Sequence, residues 1–591
     1  MWSHSTELRL VAAVAVLLIF IGAAYTKLKL KIATGPGAAR GLARKTSKEI
    51  LNRELEKQYR APRRPTPPVP VVDTDAIETV EIRAPAPKGP LAVCYSSSCA
   101  LGKPSECYSP SCPNGKKRIA PSTATVEAPY TLKFPKRERR MSLFSQILAH
   151  PSGAFPTSSK IAPTTVDSIF YLEKLPSTAS VKNLFSERIL PKYHRFSAVP
   201  VEAADGSISW VPYENISLDA HILHATVDSE SGIIKYVQSL FCRSWVKTQP
   251  MWFVHLVRNS APGGRSAIVI EVHHVLGDGI SQVMVLGDIV SDVNGKSLTI
   301  DDKKFKRMMQ GSQKPKSLMS RVLEKAIFAA NTGRALVKVL GLPILGGDSQ
   351  TLMSVPPSLF ASSNRILIPV PPLSLALVKS IKNKLKVTVN DVLFAALGGA
   401  IRKYLEYRSD DALLVRGSSL KMRALMPYSF PRPLDDLHNK WTMISAELPV
   451  AEATPLARIK ATKKRMDAIK SSPEPLVAIQ LQQLAYRLLG HDLSAQTTFD
   501  VFARHSIVFT NVPGFTERMY IAGEPVLAVQ PCVSNVLNQL SAVSYCDAIH
   551  MNFVVDGSVV LQPERLALFL VRELENLRDA AGVEGDAIVG N

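Results

Sequence analysis

Cysteine is scarce here. Seven in 591 residues are too few for the cross-linked framework of a small secreted domain. Negative charge is in deficit too: 50 Asp and Glu face 71 Lys and Arg, leaving +21. Aromatic residues make up only 7%. They do not interleave with the basic stretches as they would along a nucleic-acid groove, and no recognition motif for nucleic acid occurs. Long apolar runs are missing with one exception, which excludes a multi-span membrane protein. What remains is a chain with 46% hydrophobic residues, enough for a large core and too many for wholesale disorder. At roughly 150 residues per domain, the length fits three or four domains or one two-lobed unit with extensions.

The exception is Leu10–Tyr25, LVAAVAVLLIFIGAAY, uncharged throughout. It is short for a span of about 20 residues. Thr26 and the snorkelling stems of Lys27, Lys29 and Lys31 would lengthen it. A signal peptide and an organellar presequence are the rival readings. Only Arg9 is basic ahead of the run and Glu7 offsets it, whereas Lys27, Lys29, Lys31, Arg40, Arg44, Lys45 and Lys48 crowd behind it. The positive-inside rule then predicts an uncleaved anchor over residues 1–26 with the bulk of the chain in the cytosol.

Residues 27–162 read as a basic linker, mostly disordered. A helical pattern at Thr46–Tyr59 is followed by eight prolines between residues 61 and 90, which favour extended polyproline segments. CYSSSC (Cys94–Cys99) and CYSPSC (Cys107–Cys112) follow. Four thiolates could close a zinc site or pair as disulfides, yet C-x4-C is at the edge of zinc spacing. An unstructured segment with reduced or lipidated thiols is the competing reading. Cys242, Cys532 and Cys546 stand alone in apolar surroundings, as buried free thiols do.

The globular texture begins near residue 163. TTVDSIFYLEK opens it, with Asp167 a candidate helix N-cap. Trp252–Val257 and Arg265–Val272 read as strands, Val283–Val293 and Val389–Tyr404 as amphipathic helices. Strands and helices interleave to the end, so the fold class is α/β or α+β, with lobes at 163–345 and 346–580. Residues 301–340 interrupt this pattern with ten basic and three acidic residues. Ser317–Leu340 has helical spacing and reads as an exposed crossover helix or as a basic face for anionic lipid. Residues 27–140 carry 23 basic against 10 acidic residues, so nearly all the excess charge lies in these two stretches. The remaining body is almost neutral. That distribution favours anionic headgroups over nucleic acid.

Chemistry concentrates in EVHHVLGDGIS, residues 271–281. An alternating strand ends in His273 and His274. A neutral imidazole held at a strand end can take a proton from a hydroxyl near pH 7. Adjacent strand side chains point to opposite faces, so only one histidine can face a reaction. Asp278 can pair with a basic partner and fix the loop, and Gly279 permits a tight turn into a helix. His221, His224 and His255 lie upstream without ligand spacing, so no metal site is expected. Two ordinary buried histidines are the competing structural reading.

HHVLGDG resembles the HHxxxDG signature of acyltransferases with the chloramphenicol acetyltransferase-like fold. Further blocks, in order, resemble the wax ester synthase / diacylglycerol acyltransferase family: QPMWFVHLV (249–257), NDVLFAALGGAIRKYL (390–405), RALMPYS (423–429), HNKWTMISAELP (438–449), TNVPGF (510–515) and SYCDAIHMNFVVD (544–556). Met251 replaces a Leu of the family pattern, and His438 stands where Gly is expected before Asn439. The resemblance spans about residues 163–578. It implies two similar lobes, each a mixed sheet with helices, and a tunnel between them that admits acyl-CoA and an acceptor alcohol. It makes His274 the general base, with direct attack on the thioester. His273 and Asp278 become structural, and Gly279 keeps the tunnel open. Asn390, Asp391, Trp252 and Asn511 are its candidate substrate-binding residues. Helix capping is the competing reading for Asn390 and Asp391, and a plain turn for residues 511–514. No cofactor is required beyond acyl-CoA as substrate.

The expected protein is a membrane-anchored O-acyltransferase of the endoplasmic reticulum, or of lipid droplets, acting on long-chain alcohols, diacylglycerol or both. A sterol or short alcohol as acceptor, and a catalytically inactive lipid-binding protein, are the alternatives. Oligomeric state is not legible in the sequence.

Overall fold

The computed structural model describes residues 139–589, apart from residues 151, 163, 205, 215, 246–247, 300–330, 345, 431, 433 and 435. The expected anchor, the proline-rich tether, the four clustered cysteines and most of the basic 301–340 stretch lie outside the described residues. Among the described residues, no helix is long and apolar enough to cross a membrane.

Thirteen strands build two mixed sheets: β1 (Thr165–Leu172), β2 (Ile222–Val227), β3 (Trp252–Asn259), β4 (Ser266–His273), β5 (Val290–Ser291), β6 (Arg365–Ser374), β7 (Arg423–Ser429), β8 (Trp441–Glu447), β9 (Ile507–Val512), β10 (Tyr520–Ile521), β11 (Glu524–Val533), β12 (Asn538–Tyr545) and β13 (Ala548–Asp556). The first lobe has seven, in the order β2-β3-β4-β1-β11-β10-β5, and the second has six, in the order β8-β7-β9-β12-β13-β6. This is the two-lobed mixed architecture that the resemblance implies. A small third sheet joins Arg139–Arg140, Ile208–Pro212 and Ala198–Glu202.

Two boundaries differ from expectation. Folding starts before residue 163: α1 (Leu143–Ala149) is capped by Ser142 and buries Phe144, Ile147 and Leu148 in the first-lobe core. Its apolar residues recur every three to four positions, so this part of the supposed linker has a face to bury. The lobes are also not sequential pieces. β10 and β11 come from the second half of the chain yet complete the first sheet, where β11 lies antiparallel to β1. The strand from Glu524 to Val533 thereby ties the lobes together.

Asp167 is not a helix cap. It sits in the middle of β1, fully buried, across from Glu271 on β4 and Cys532 on β11. The run TVDSIFYL is mostly β-branched and aromatic, and its pairing on both edges overrides the capping preference of one residue. Cys242, Cys532 and Cys546 are all free thiols, of which only Cys532 is fully buried.

The core of the second lobe forms around the long helix Val389–Tyr407. The helices used below are α2 (Thr178–Leu184), α3 (Glu230–Leu240), α4 (Gly279–Ile289), α5 (Val389–Tyr407), α6 (Glu474–Phe502) and α7 (Glu564–Ala581). Thr388 and Asp391 form a capping box at the start of α5, which satisfies two of its orphan N–H groups. A Cβ on Gly399 would lie 2.0 Å from Glu573 on α7. The missing side chain is what lets these two helices approach.

Candidate active site

The site begins with β4. All eight of its residues are buried, as suits a strand paired on both sides by β1 and β3. Its end is held by the same neighbours: His273 N–H donates to Met251 O at 3.0 Å and His274 N–H to Thr164 O at 3.1 Å. The chain then turns through a short 3-10 segment, His274–Leu276. His273 caps that turn, because its Nδ1 accepts the Val275 N–H at 3.1 Å. His273 is therefore buried and structural, packed edge-on against Trp245.

His274 is half-buried by solvent exposure but enclosed by protein around its ring. Burial holds its pKa below the ordinary 6.5, against the opposing pull of its own backbone carbonyl, Asp278 and Asn439. Burial thus favours the uncharged ring, the form a general base needs. Trp441 lies beside it with ring centroids 5.5 Å apart.

Asp278 caps α4 by accepting the Ser281 N–H at 3.1 Å. Its other partner is Arg432, whose guanidinium grips both carboxylate oxygens at 2.6 and 2.5 Å. Lys440 N–H adds a third donor at 2.9 Å. Burial alone would raise the Asp278 pKa, but the Arg432 fork and the backbone donors outweigh it and hold the carboxyl below its ordinary value. Both side chains are almost wholly enclosed, so each is the other's replacement for water.

The segment from Arg432 to Trp441 wraps this loop. Asp278 N–H and Ser281 Oγ both donate to His438 O, each at 2.9 Å. Asn439 Nδ2 donates to Val275 O at 2.9 Å. From the first lobe, buried Arg195 donates to Val275 O and Leu276 O at 3.3 and 3.1 Å. The histidine turn is thus pinned by one arginine from its own lobe and by a strand-entry segment of the other.

Two segments of the chain match family profiles: residues 179–393 fit the wax ester synthase/diacylglycerol acyltransferase catalytic domain, and residues 437–578 fit the WS/DGAT C-terminal domain. The chain belongs to the wax ester synthase/diacylglycerol acyltransferase family. It is an O-acyltransferase of that family. It is 24% identical over 424 residues to wax ester synthase/diacylglycerol acyltransferase 3 of Arabidopsis thaliana, covering 67% of this chain and 86% of that protein. It is 22% identical over 445 residues to O-acyltransferase WSD of Acinetobacter baylyi, covering 71% and 94%. The wax ester synthase/diacylglycerol acyltransferase from Marinobacter aquaeolei superposes with a TM-score of 0.53 at 16% identity, over 75% of this chain and all of that one. That likeness concerns the fold.

Within this acyltransferase, the sequence-picked residues fall into three groups. His273, His274, Asp278 and Gly279 form one turn, and a Cβ on Gly279 would first meet Val512 of β9, at 3.8 Å. Asn390 and Asn511 meet each other, the Asn511 amide donating to Asn390 Oδ1 at 2.5 Å. Asp391 is spent on its capping box, accepting the Thr388 N–H at 2.8 Å. Trp252 lies in the core instead. It is fully buried in the first-lobe core, stacked on Phe185 and His221, with its indole N–H given to Phe196 O at 2.8 Å. It sits on β3 with its side chain on the face that packs against the core cluster around α2.

Sequence reading missed Arg195, Arg432, Asn439 and Trp441 as parts of the site. A signal for one existed: a buried motif aspartate demands a cation, and Arg432 lies just outside a recognised block. Nothing in the local sequence ties Arg195 to a loop 80 residues away.

Proposed function

We propose that this acyltransferase esterifies a long-chain alcohol, diacylglycerol or both with acyl-CoA, and that His274 Nε2 is the general base. The observation that carries the reading is the placement of His274 on a turn pinned by Arg195, Asn439 and the Asp278–Arg432 pair, where burial also disfavours the charged ring. Such pinning supports catalysis by orientation, since a small misplacement of a catalytic group costs about a hundredfold in rate.

In the proposed step the acceptor hydroxyl gives its proton to Nε2 as its oxygen bonds to the thioester carbonyl carbon. The C–S bond then breaks, and the imidazolium returns the proton to the departing CoA sulfur. Ester and free CoA result, with no acyl-enzyme, metal or redox partner in the balance. Acyl-CoA and the acceptor enter between the lobes, and Gly279 leaves that route open opposite Val512. The Leu10–Tyr25 segment anchors the enzyme in the membrane of the endoplasmic reticulum, where both substrates partition, with the body cytosolic.

The test uses full-length protein in microsomes, labelled acyl-CoA and a panel of fatty alcohols, diacylglycerol and sterols. Ester should form with fatty alcohol or diacylglycerol, and His274→Ala should abolish it. Wild-type rates in His274→Ala would sink the base assignment. Activity confined to sterols would sink the acceptor assignment. Deleting residues 1–26 should release the protein from carbonate-washed membranes, and full retention would overturn the anchor.

A further inference from the structure

We infer that Asn439 is a positioning residue for acyl transfer: its amide oxygen accepts the Nδ1–H of His274 and so leaves Nε2 unprotonated toward the acceptor hydroxyl. The inference rests on the general-base reading above and extends it.

Two orphaned atoms define it. His274 Nδ1 and Asn439 Oδ1 are both enclosed, and neither makes a hydrogen bond of good geometry among the described residues. Leaving a buried polar atom unpaired costs about 1–3 kcal/mol. One is a donor in the tautomer a general base needs, and the other only accepts. The amide cannot be turned around. Its Nδ2 donates to Val275 O, and a carbonyl oxygen can only accept, so the free end of Asn439 is necessarily the oxygen.

Proximity follows from the same contacts. Asn439 is buried, it bonds the residue next to His274, and it is one of the groups whose interaction favours the charged form of that ring. The competing acceptor is the backbone carbonyl of His274 itself. Asn439 differs in holding ring and backbone together, because one amide grips both Val275 O and Nδ1. When Nδ1–H pairs with Oδ1, both orphans are satisfied at once. The other titratable groups on the elements packed around the ring are His273 and Asp278 on its own turn, Arg195 from the first lobe, and Arg432, His438 and Lys440 from the wrapping segment.

The test reads the tautomer directly. Full-length protein labelled with 15N-histidine is measured by NMR, with the His274 signals assigned by difference against His274→Gln. The wild type should show the Nδ1–H tautomer, and Asn439→Ala should show a mixture. In kinetics, Asn439→Ala should lower kcat about tenfold to a hundredfold with KM within about twofold. Asn439→Asp keeps the shape and the acceptor but adds a negative charge. It should move the acid limb of the kcat profile to higher pH by about one unit, which a merely structural asparagine would not do. A wild-type Nε2–H tautomer, or an Asn439→Asp enzyme with an unmoved acid limb, would overturn the inference. Should His274→Gln stay fully active, the base reading falls, while the tautomer measurement still decides who holds Nδ1.

Discussion

Replacing Asp278 with Asn isolates the charge of the buried pair. Asn caps a helix as well as Asp does, so the Ser281 N–H keeps an acceptor. Arg432 loses its counter-ion and meets an amide instead, inside a site where its side chain is only 3% exposed. Breaking a buried pair from one side costs about 3–5 kcal/mol. Unfolding entropy near 2.1 cal/mol/K per residue, over a folded unit of roughly 450 residues, converts this to a Tm drop of about 3–5 °C if the unit melts cooperatively. Thermal unfolding followed by near-UV circular dichroism measures that. The double variant Asp278→Asn with Arg432→Gln removes both charges, and should recover about 2 kcal/mol of the loss through the coupling of the two sites. Its activity should stay low, because the turn carrying His274 has lost a clamp. If each single variant melts within 1 °C of wild type, the pair is not the buried clamp described. If the double variant loses the sum of the singles, the two residues act independently and the reasoning fails.

The His274 pKa is held below 6.5, so the acid limb of kcat/KM against pH should lie below that value, and a limb at pH 7 or above would contradict it. Asp167 has its pKa raised well above the ordinary value, chiefly by burial and then by Glu271. The native state therefore holds a proton that the unfolded state has released, and stability should fall as pH rises from about 4 through the raised native pKa. Asp167→Asn should flatten that slope in denaturant titrations. Gly514→Ala would place a Cβ 2.0 Å from Ser544 O, against backbone that cannot rotate away. A Tm loss worth about 2 kcal/mol or more is expected from such overpacking. Gly279→Ala has room and should melt as wild type does, whereas Gly279→Leu should keep its Tm and lose most of its activity if substrate passes between Gly279 and Val512.

Short apolar, β-branched runs were enough to find β3 and β4, which are buried on nearly every residue. Helical spacing found α5 and the second half of α4, which starts at Gly279 and ends at Ile289 rather than spanning Val283–Val293. The HHVLGDG turn was legible for the same reason: a strand end, two histidines, an aspartate and a glycine within seven residues carry their chemistry locally. Trp252 was not legible, because a tryptophan in a recognised block looks the same in sequence whether it faces substrate or, as its side chain does, the core. Asp167 misled because an aspartate near the start of a folded unit resembles a cap until its strand neighbours are known.

By itself, then, the sequence determined the family and the fold class, and singled out the histidine proposed as the base, all of which depend on order along the chain. It could not determine what surrounds that base. Arg195 reaches the turn from 80 residues upstream, and Arg432, Asn439 and Trp441 reach it from more than 150 residues downstream. Strand β11 crosses into the first sheet although its neighbours in sequence belong to the second. Only tertiary structure decides such pairings, because a buried charge or an orphaned amide takes whichever partner the packed lobes bring within three ångströms.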